Sequence, residues 1–165
     1  MKIIKSVCGQ DILVDDEHYE YLNQFRWNVG GYGYALSGMN KGSGSAVCMH
    51  IVVAQLVNLD TSQEVDHKDR NKLNNQSNNL RAATHSQNAA NTKKNPGFHS
   101  QYRGVTWYRR NSCWQVRLKA NYKIVFCKYF KDEVEAAKAY DKAAFEHYGE
   151  FAVLNFPEDY NQATN

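Results

Sequence analysis

The chain is 165 residues long, with 42 % hydrophobic and 22 % charged residues and a formal net charge of +3. That length makes one domain or two small ones, enough to bury a core without staples. The composition excludes wholesale disorder and fibrous repeats, and apolar runs of only a few residues exclude a transmembrane helix.

Residues 1–57 read as short strands with turns, in which Ile12, Val14 and similar apolar positions alternate loosely. Asp15, Asp16 and Glu17 open a short helix predicted over Glu17 to Phe25. Gly30-Gly31 and Lys41 to Ser45 mark turns or loops. Trp27, Tyr32 and Tyr34 are expected as core or hairpin aromatics, and a second helix is expected over 49–57. Residues 66–80 read as a polar loop with five asparagines between Asn71 and Asn79. Low-complexity disorder is the alternative there, but the loop is short and flanked by patterned segments. Thr84 with Gln87 three residues later is a capping-box pattern, which predicts a helix to about Lys93. Asn95-Pro96-Gly97 breaks it and leaves a linker over 95–101.

Three strand-like runs follow, Tyr102 to Tyr108, Cys113 to Lys119 and Lys123 to Phe130, with Asn111-Ser112 and Ala120-Asn121 as turns. Asp132 can then cap a helix whose first turn is acidic. Ala137, Tyr140, Ala144 and Tyr148 form one stripe of that helix, and Gly149 stops it. Val153 to Phe156 closes the unit, and 158–165 is a tail.

The net charge hides an asymmetry. Residues 98–131 hold eight Lys/Arg and no acid, whereas residues 132–165 hold two against eight. The basic stretch is either a polyanion surface or the solvated face of one sheet. Aromatics interleaved with the cations, among them Trp107 and Trp114, suit phosphates and bases together. The N-terminus has no apolar core of signal-peptide length, so an intracellular, non-secreted protein is expected. The four cysteines show no CxxC spacing, so no zinc and no disulfide framework is expected.

One constellation carries chemistry. Val65-Asp66-His67-Lys68-Asp69 precedes the asparagine-rich loop, then come Asn78-Asn79-Leu80-Arg81, and Asn88 follows. A carboxylate and a carboxamide oxygen are hard ligands for Mg²⁺ or Mn²⁺. A neutral imidazole beside them can act as general base. Lys68, Arg70, Lys72 and Arg81 could hold a phosphate backbone. Together these describe metal-assisted phosphodiester hydrolysis. The bland reading is a surface Asp and a partly buried His. Asp66 and His67 can share one site only where their strand ends or kinks.

The stretch VDHKDRNKLNNQSNNLRAATHSQNAAN, Val65 to Asn91, resembles the HNH endonuclease motif of the ββα-metal class, in the variant whose last His is Asn. His67 to Asn79 is 12 residues and Asp66 to Asn88 is 22, the family spacing. The resemblance implies His67 as general base, and Asp66 and Asn88 holding one Mg²⁺ or Mn²⁺ per active site. It also implies that Asn79 braces the loop and orients His67. Val14-Asp15-Asp16, Trp27, Tyr34-Ala35 and Met49-His50 resemble the N-terminal part of phage-type HNH proteins, although Ile51 stands where many relatives have Arg. His50, His85 and Asn91 are candidates for the edge of the site; a structural role is the alternative for His50, and a solvated polar face for the other two.

Residues 101–156 resemble the plant Apetala/ethylene-response-factor DNA-binding domain. The resemblance rests on Tyr102-Arg103-Gly104-Val105, Trp114, Lys128-Tyr129-Phe130, Ala139-Tyr140-Asp141 and Leu154-Asn155-Phe156-Pro157. It implies a three-stranded sheet placed in the DNA major groove. Arg103, Trp107, Arg109, Trp114, Arg117 and Lys119 would contact DNA, with Lys68, Arg70 and Arg81 assisting from the nuclease module; the alternatives are a sheet-face core role for Trp114 and a helix-facing ion pair for Arg103. Asp141 is expected as a structural partner.

The expected protein is therefore α+β. A ββα-metal HNH module with a β-rich extension spans 1–94 (core 49–92), and a three-stranded antiparallel sheet packed on one helix spans 102–157. The arrangement resembles phage or mobile-element homing endonucleases. The implied reaction is hydrolysis of double-stranded DNA to 5′-phosphate and 3′-hydroxyl ends, by a monomer or weak dimer with no membrane partner, in the cytoplasm of a bacterial or phage-infected cell. The rivals are a non-catalytic DNA-binding regulator with a degenerate HNH scaffold, and an RNA-binding accessory protein.

Overall fold

Alternating apolar residues start the chain as an antiparallel hairpin of β1 (Lys2–Lys5) and β2 (Asp11–Val14), in register Lys2 to Val14. Ile4, Ile12 and Val14 turn inward and are almost fully buried. The computed structural model describes residues 1–38, 46–92 and 100–160, which divide into one unit of Met1–His85 and a second of Ser86–Asn165. The expected turn at Lys41 to Ser45, the break at Asn95 to Gly97 and most of the linker lie outside the described residues.

In the first unit, α1 (Asp16–Leu22) ends three residues before the expected Phe25. At that end the buried Trp27 indole N–H, five residues on, donates to the Leu22 carbonyl at 2.8 Å and satisfies a group the last turn leaves free. A small antiparallel sheet follows, ordered β3 (Asn28–Val29), β4 (Ala35–Ser37), β5 (Val47–Cys48). Then comes α2 (Met49–Leu56), where the sequence placed a helix. Met49, Val53 and Ala54 pack with Ile12, Leu22 and Trp27 in one apolar core. Fully burying each Leu, Ile or Met contributes on the order of 2 kcal/mol.

Residues 66–80 are less of a loop than their polarity suggests. β6 (Glu64–His67) runs through Asp66 and His67, and β7 (Leu80–Ala83) pairs with it antiparallel. Val65 and Leu80 anchor the pair in the core. α3 (His85–Ala90) follows directly and ends three residues before the expected Lys93, with Asn91 and Thr92 already outside it.

The second unit carries β8 (Val105–Tyr108), β9 (Cys113–Ala120) and β10 (Lys123–Phe130), an antiparallel sheet with β9 central. The tight turn between β9 and β10 places Asn121 at φ 48° and Tyr122 at φ 63°, the two positive φ values of a type I′ hairpin. α4 (Glu133–Tyr148) packs across this sheet. Asp132 caps it as expected, its carboxylate accepting from the Glu135 amide at 2.8 Å. Small residues, Ala136, Ala137 and Ala144, let helix and sheet approach closely. Gly104 sits at φ +72°, and a Cβ there would fall 2.0 Å from the Tyr140 ring, so Tyr140 packs into the space a side chain would take. Asp141 is fully buried and accepts hydrogen bonds from the Asn155 and Phe156 amides and from Asn155 Nδ2. It fastens the closing segment to α4.

Candidate functional site

β6 ends at His67, and there the chain turns. The Arg70 amide donates to the His67 carbonyl at 2.9 Å, and Arg70 itself adopts φ 63°. Asp66 and His67 are both buried, at 5 % and 4 % exposure, although strand alternation sends them to different sides. A terminus can bury both because the loop folds back over the strand end.

Asn79 holds that loop. Its Nδ2 donates to Asp69 Oδ1 at 2.9 Å and to the Asn74 carbonyl at 2.8 Å, and its Oδ1 accepts from the Asp69 amide at 3.1 Å. Its own carbonyl accepts from the Lys68 amide at 2.8 Å. The Asp69 carboxylate also takes the Asn71 amide and Asn74 Nδ2. Desolvation works to raise the Asp69 pKa, but these donors outweigh it and hold it low. Asp69 was not singled out in the sequence; an acid two residues past an Asp-His pair carries no distinctive signal.

The N-terminal hairpin supports the loop from the other side. The Leu13 amide donates to Leu73, the Asn75 amide donates to Leu13, and the Ser77 amide donates to the Asp15 carboxylate at 2.7 Å. The β-rich extension is thus a brace for the loop beside His67.

Around His67 lies a cluster of rings. Its centroid is 5.1 Å from His50 and 6.0 Å from Tyr34, and Tyr34 and His50 are 5.0 Å apart. His50 is therefore brought to His67. Burial, with the neighbouring His67, pulls the His50 pKa down to about 4. Burial also lowers the pKa of His67. Both shifts favour the neutral imidazole, the form a general base needs. Lys72 Nζ lies 4.4 Å from the Tyr34 ring centre and donates to the Tyr32 carbonyl at 2.9 Å.

Other expected site residues go elsewhere. Arg81 is not a surface cation: it is buried at 9 % exposure opposite Asp66, and its guanidinium reaches Asp66 Oδ2 from Nε and Nη2, each at 2.9 Å. Lys68 donates Nζ to the Asn78 carbonyl at 2.9 Å, and Arg70 is exposed. His85 is exposed, with Nδ1 2.7 Å from Glu64 Oε1. Asn88 and Asn91 lie in the second unit, Asn88 half-buried on α3 and Asn91 buried just past its end.

The sheet of the second unit has two unlike faces. Alternation along β9 sets Trp114, Val116, Leu118 and Ala120 on one side, and Leu118 lines a cleft with Ala143 of α4. Trp107 stands opposite Trp114, ring centroids 4.9 Å apart and edge to face, so this pair lies on the α4 side. Arg117 and Lys119 project from the other, open face. Tyr108 and Tyr129 meet there at 5.6 Å, and Gln115 donates to the Tyr129 hydroxyl at 2.7 Å. Arg109 is exposed in the turn after β8. Arg103 turns away from solvent: its guanidinium donates to the Tyr140 hydroxyl at 2.9 Å, to the Ala90 carbonyl at 3.0 Å and to the Thr92 carbonyl. The sequence could not separate these roles, because a strand cation and a cation packed against a helix are the same letter.

Residues 47–90 match the HNH endonuclease family. The chain is 29 % identical over 150 residues to the uncharacterized HNH endonuclease L560 of Acanthamoeba polyphaga mimivirus, a match covering 89 % of this chain and 75 % of that protein. It is also 41 % identical over 69 residues to APETALA2-like protein 2 of Oryza sativa subsp. indica, covering 41 % of this chain and 16 % of that protein. The AP2-like ethylene-responsive transcription factor TOE2 of Arabidopsis thaliana is 41 % identical over 71 residues, covering 40 % of this chain and 15 % of its own length. The chain thus spans under a sixth of these plant relatives. No solved structure matches it. Among the described residues, no helix is long and apolar enough to cross a membrane.

Proposed function

We propose that the protein is a metal-dependent DNA endonuclease of the HNH type, with a homing-type arrangement of a nuclease module followed by a DNA-reading sheet. The observation that carries this reading is the buried His67 imidazole at the end of β6, next to the buried Asp66 carboxylate and under a loop braced by Asn79. His67 accepts a proton from the attacking water, and burial keeps its ring free of the proton that would disable it. Asn79 holds the backbone on which His67 sits. The donor set of one carboxylate and one carboxamide oxygen fits a hard divalent cation: Asp66 and Asn88 would hold Mg²⁺ or Mn²⁺, which when bound supplies Lewis-acid stabilisation of the phosphate's developing charge. Lys72 and Arg70 flank the loop and suit phosphate oxygens. Arg117, Lys119 and Arg109 on the second unit suit the backbone of double-stranded DNA. The module boundaries we assign are 1–94, with the HNH core at 49–92, and 102–157.

The test is incubation with supercoiled plasmid under Mg²⁺, Mn²⁺ or EDTA, beside His67→Ala. Nicked or linear product with metal, absent in EDTA and in the variant, supports the reading. One site per chain makes nicking the simplest outcome. A phage or other mobile-element origin is part of the same reading. One observation favours the rival, a DNA-binding regulator: Asp66 is already neutralised by Arg81. Tight, selective DNA binding with no product under either metal is its signature.

A further inference from the structure

A single exposed aromatic ring is ordinary on a protein surface; it calls for a reason when the backbone beneath it is fixed beside a site. Tyr32 meets that condition. Its residue is 87 % exposed, and no hydrogen bond or ring contact ties its phenol to the described residues. Its backbone, in contrast, is clamped. Gly31 and Tyr32 are the central residues of a turn closed by the Gly33 amide, which donates to the Gly30 carbonyl at 2.8 Å, and the Gly30 amide donates to the Tyr34 carbonyl at 3.0 Å. Gly33 supplies the φ of +81° that returns the chain, and a Cβ there would lie 3.7 Å from Lys72 Cδ. The Tyr32 carbonyl accepts from Lys72 Nζ at 2.9 Å. The turn is thus clasped to the loop that follows His67.

That clasp leads to the proposed general base. Lys72 Nζ lies 4.4 Å from the Tyr34 ring centre, and Tyr34 packs 5.0 Å from His50 and 6.0 Å from His67. Tyr32 therefore stands two residues from a ring that packs on His67. The loop beside it offers Lys68, Arg70 and Lys72, while its acids are taken up, Asp66 by Arg81 and Asp69 by donors from Asn71, Asn74 and Asn79. Cations of this kind recruit a phosphate backbone; a flat aromatic face beside them fits a nucleobase.

We propose that Tyr32 is a DNA-contacting residue of the nuclease module: its ring stacks on a nucleobase beside the scissile phosphate, at a base step that the ring partly unstacks. Unstacking is unfavourable, so a wedge needs a rigid mounting, which the turn and the Lys72 clasp supply. The consequence is selectivity without hydrogen-bond readout, since steps that open easily, pyrimidine–purine above all, are favoured next to the cut. The proposal rests on the nuclease reading and gives the nuclease module its own share in the choice of site.

Tyr32→Ala and Tyr32→Phe test it. The ring is exposed, so Tyr32→Ala should melt with the wild type. On a short duplex carrying the mapped cut, titrated in EDTA, its affinity should fall about 5–100-fold. The salt slope should not change, because no charge is lost, and Tyr32→Phe should bind as the wild type does. 2-Aminopurine placed beside the cut should change its fluorescence on binding the wild type and not on binding Tyr32→Ala. Wild-type affinity in Tyr32→Ala overturns the proposal. So does a loss shared by Tyr32→Phe, which would assign the contact to the hydroxyl, or a 2-aminopurine response that survives in Tyr32→Ala. Absence of any cleavage by the wild type defeats the nuclease reading instead, and the same titrations on a duplex selected for binding still decide whether the ring stacks on a base.

Discussion

Asp66 and Arg81 face each other across the β6–β7 pair, both buried, with guanidinium Nε and Nη2 each 2.9 Å from the same carboxylate oxygen. A buried pair of this kind adds little net stability, but breaking it strands a charge. Arg81→Met should therefore destabilise the protein by about 3–5 kcal/mol. Urea unfolding in EDTA measures this. If Asp66 holds a divalent cation, millimolar Mn²⁺ should recover part of the loss, because a ligand that binds only the folded state stabilises it. No recovery would count against Asp66 as a ligand.

Asp15 makes a pH-dependent brace. Burial pushes its pKa up, and hydrogen bonds from Ser77 and Gln76 more than reverse this, leaving it below the usual aspartate value. A group with a depressed folded pKa contributes stability that is present above its unfolded pKa and lost as pH falls through the folded value. Asp15→Asn should thus melt below wild type at pH 7, by roughly 1 kcal/mol given its partial exposure. The gap should close as pH falls below the ordinary carboxylate range, through the lowered folded value. A gap that is the same above and below that range would show that the carboxylate charge is not what Ser77 binds.

The two faces of the C-terminal sheet give separable outcomes for DNA binding. Arg117→Ala and Lys119→Ala should each flatten the slope of log K against log salt by about 0.9, the signature of one lost phosphate contact. Trp114→Ala should leave the slope unchanged and destabilise the unit by about 3 kcal/mol through lost packing. Binding titrations at several salt concentrations, with thermal melts alongside, distinguish the three. A reduced slope for Trp114→Ala would place that ring on the DNA side.

Arg103 stands apart from the open face. Its donors are engaged by Tyr140 and by carbonyls at the end of α3. Arg103→Met should lower the melting temperature while keeping the salt slope. A slope reduced by about 0.9 would return Arg103 to the phosphate contacts.

Asp141 is the fastening of the C-terminal unit. Asp141→Ala leaves the Asn155 and Phe156 amides without their buried acceptor. The expected loss is about 3 kcal/mol, seen as a lower denaturant midpoint. Nuclease chemistry should survive at temperatures where the unit stays folded.

Much was readable in the residues. The HNH spacing from Asp66 to Asn88 drew attention to the strand end where His67 is buried. The cap at Asp132, the turn at Asn121 and the alanines of α4 marked the second sheet and helix. Such signals are legible because they are local: a cap, a turn or a helical stripe is decided by residues within a few positions of one another. Misplaced readings were those that depended on distant partners. Arg81, read as a phosphate-holding cation, is buried against Asp66 fifteen residues away.

The sequence by itself determined which residue types were present for the proposed chemistry, and at what spacing. Tertiary structure alone decided which of them point where. Arg81, Arg103 and Arg117 are one residue type: the first is buried against Asp66, the second is bound to Tyr140 and carbonyls, and the third projects from the open face. Asn75 and Asn79 lie in one polar loop, and packing buries the first completely while the second closes the loop through Asp69 and the Asn74 carbonyl. The physical reason is that burial and hydrogen-bond geometry arise only when segments far apart in the chain meet. The environment they create, more than the residue's identity, sets its charge state and its task.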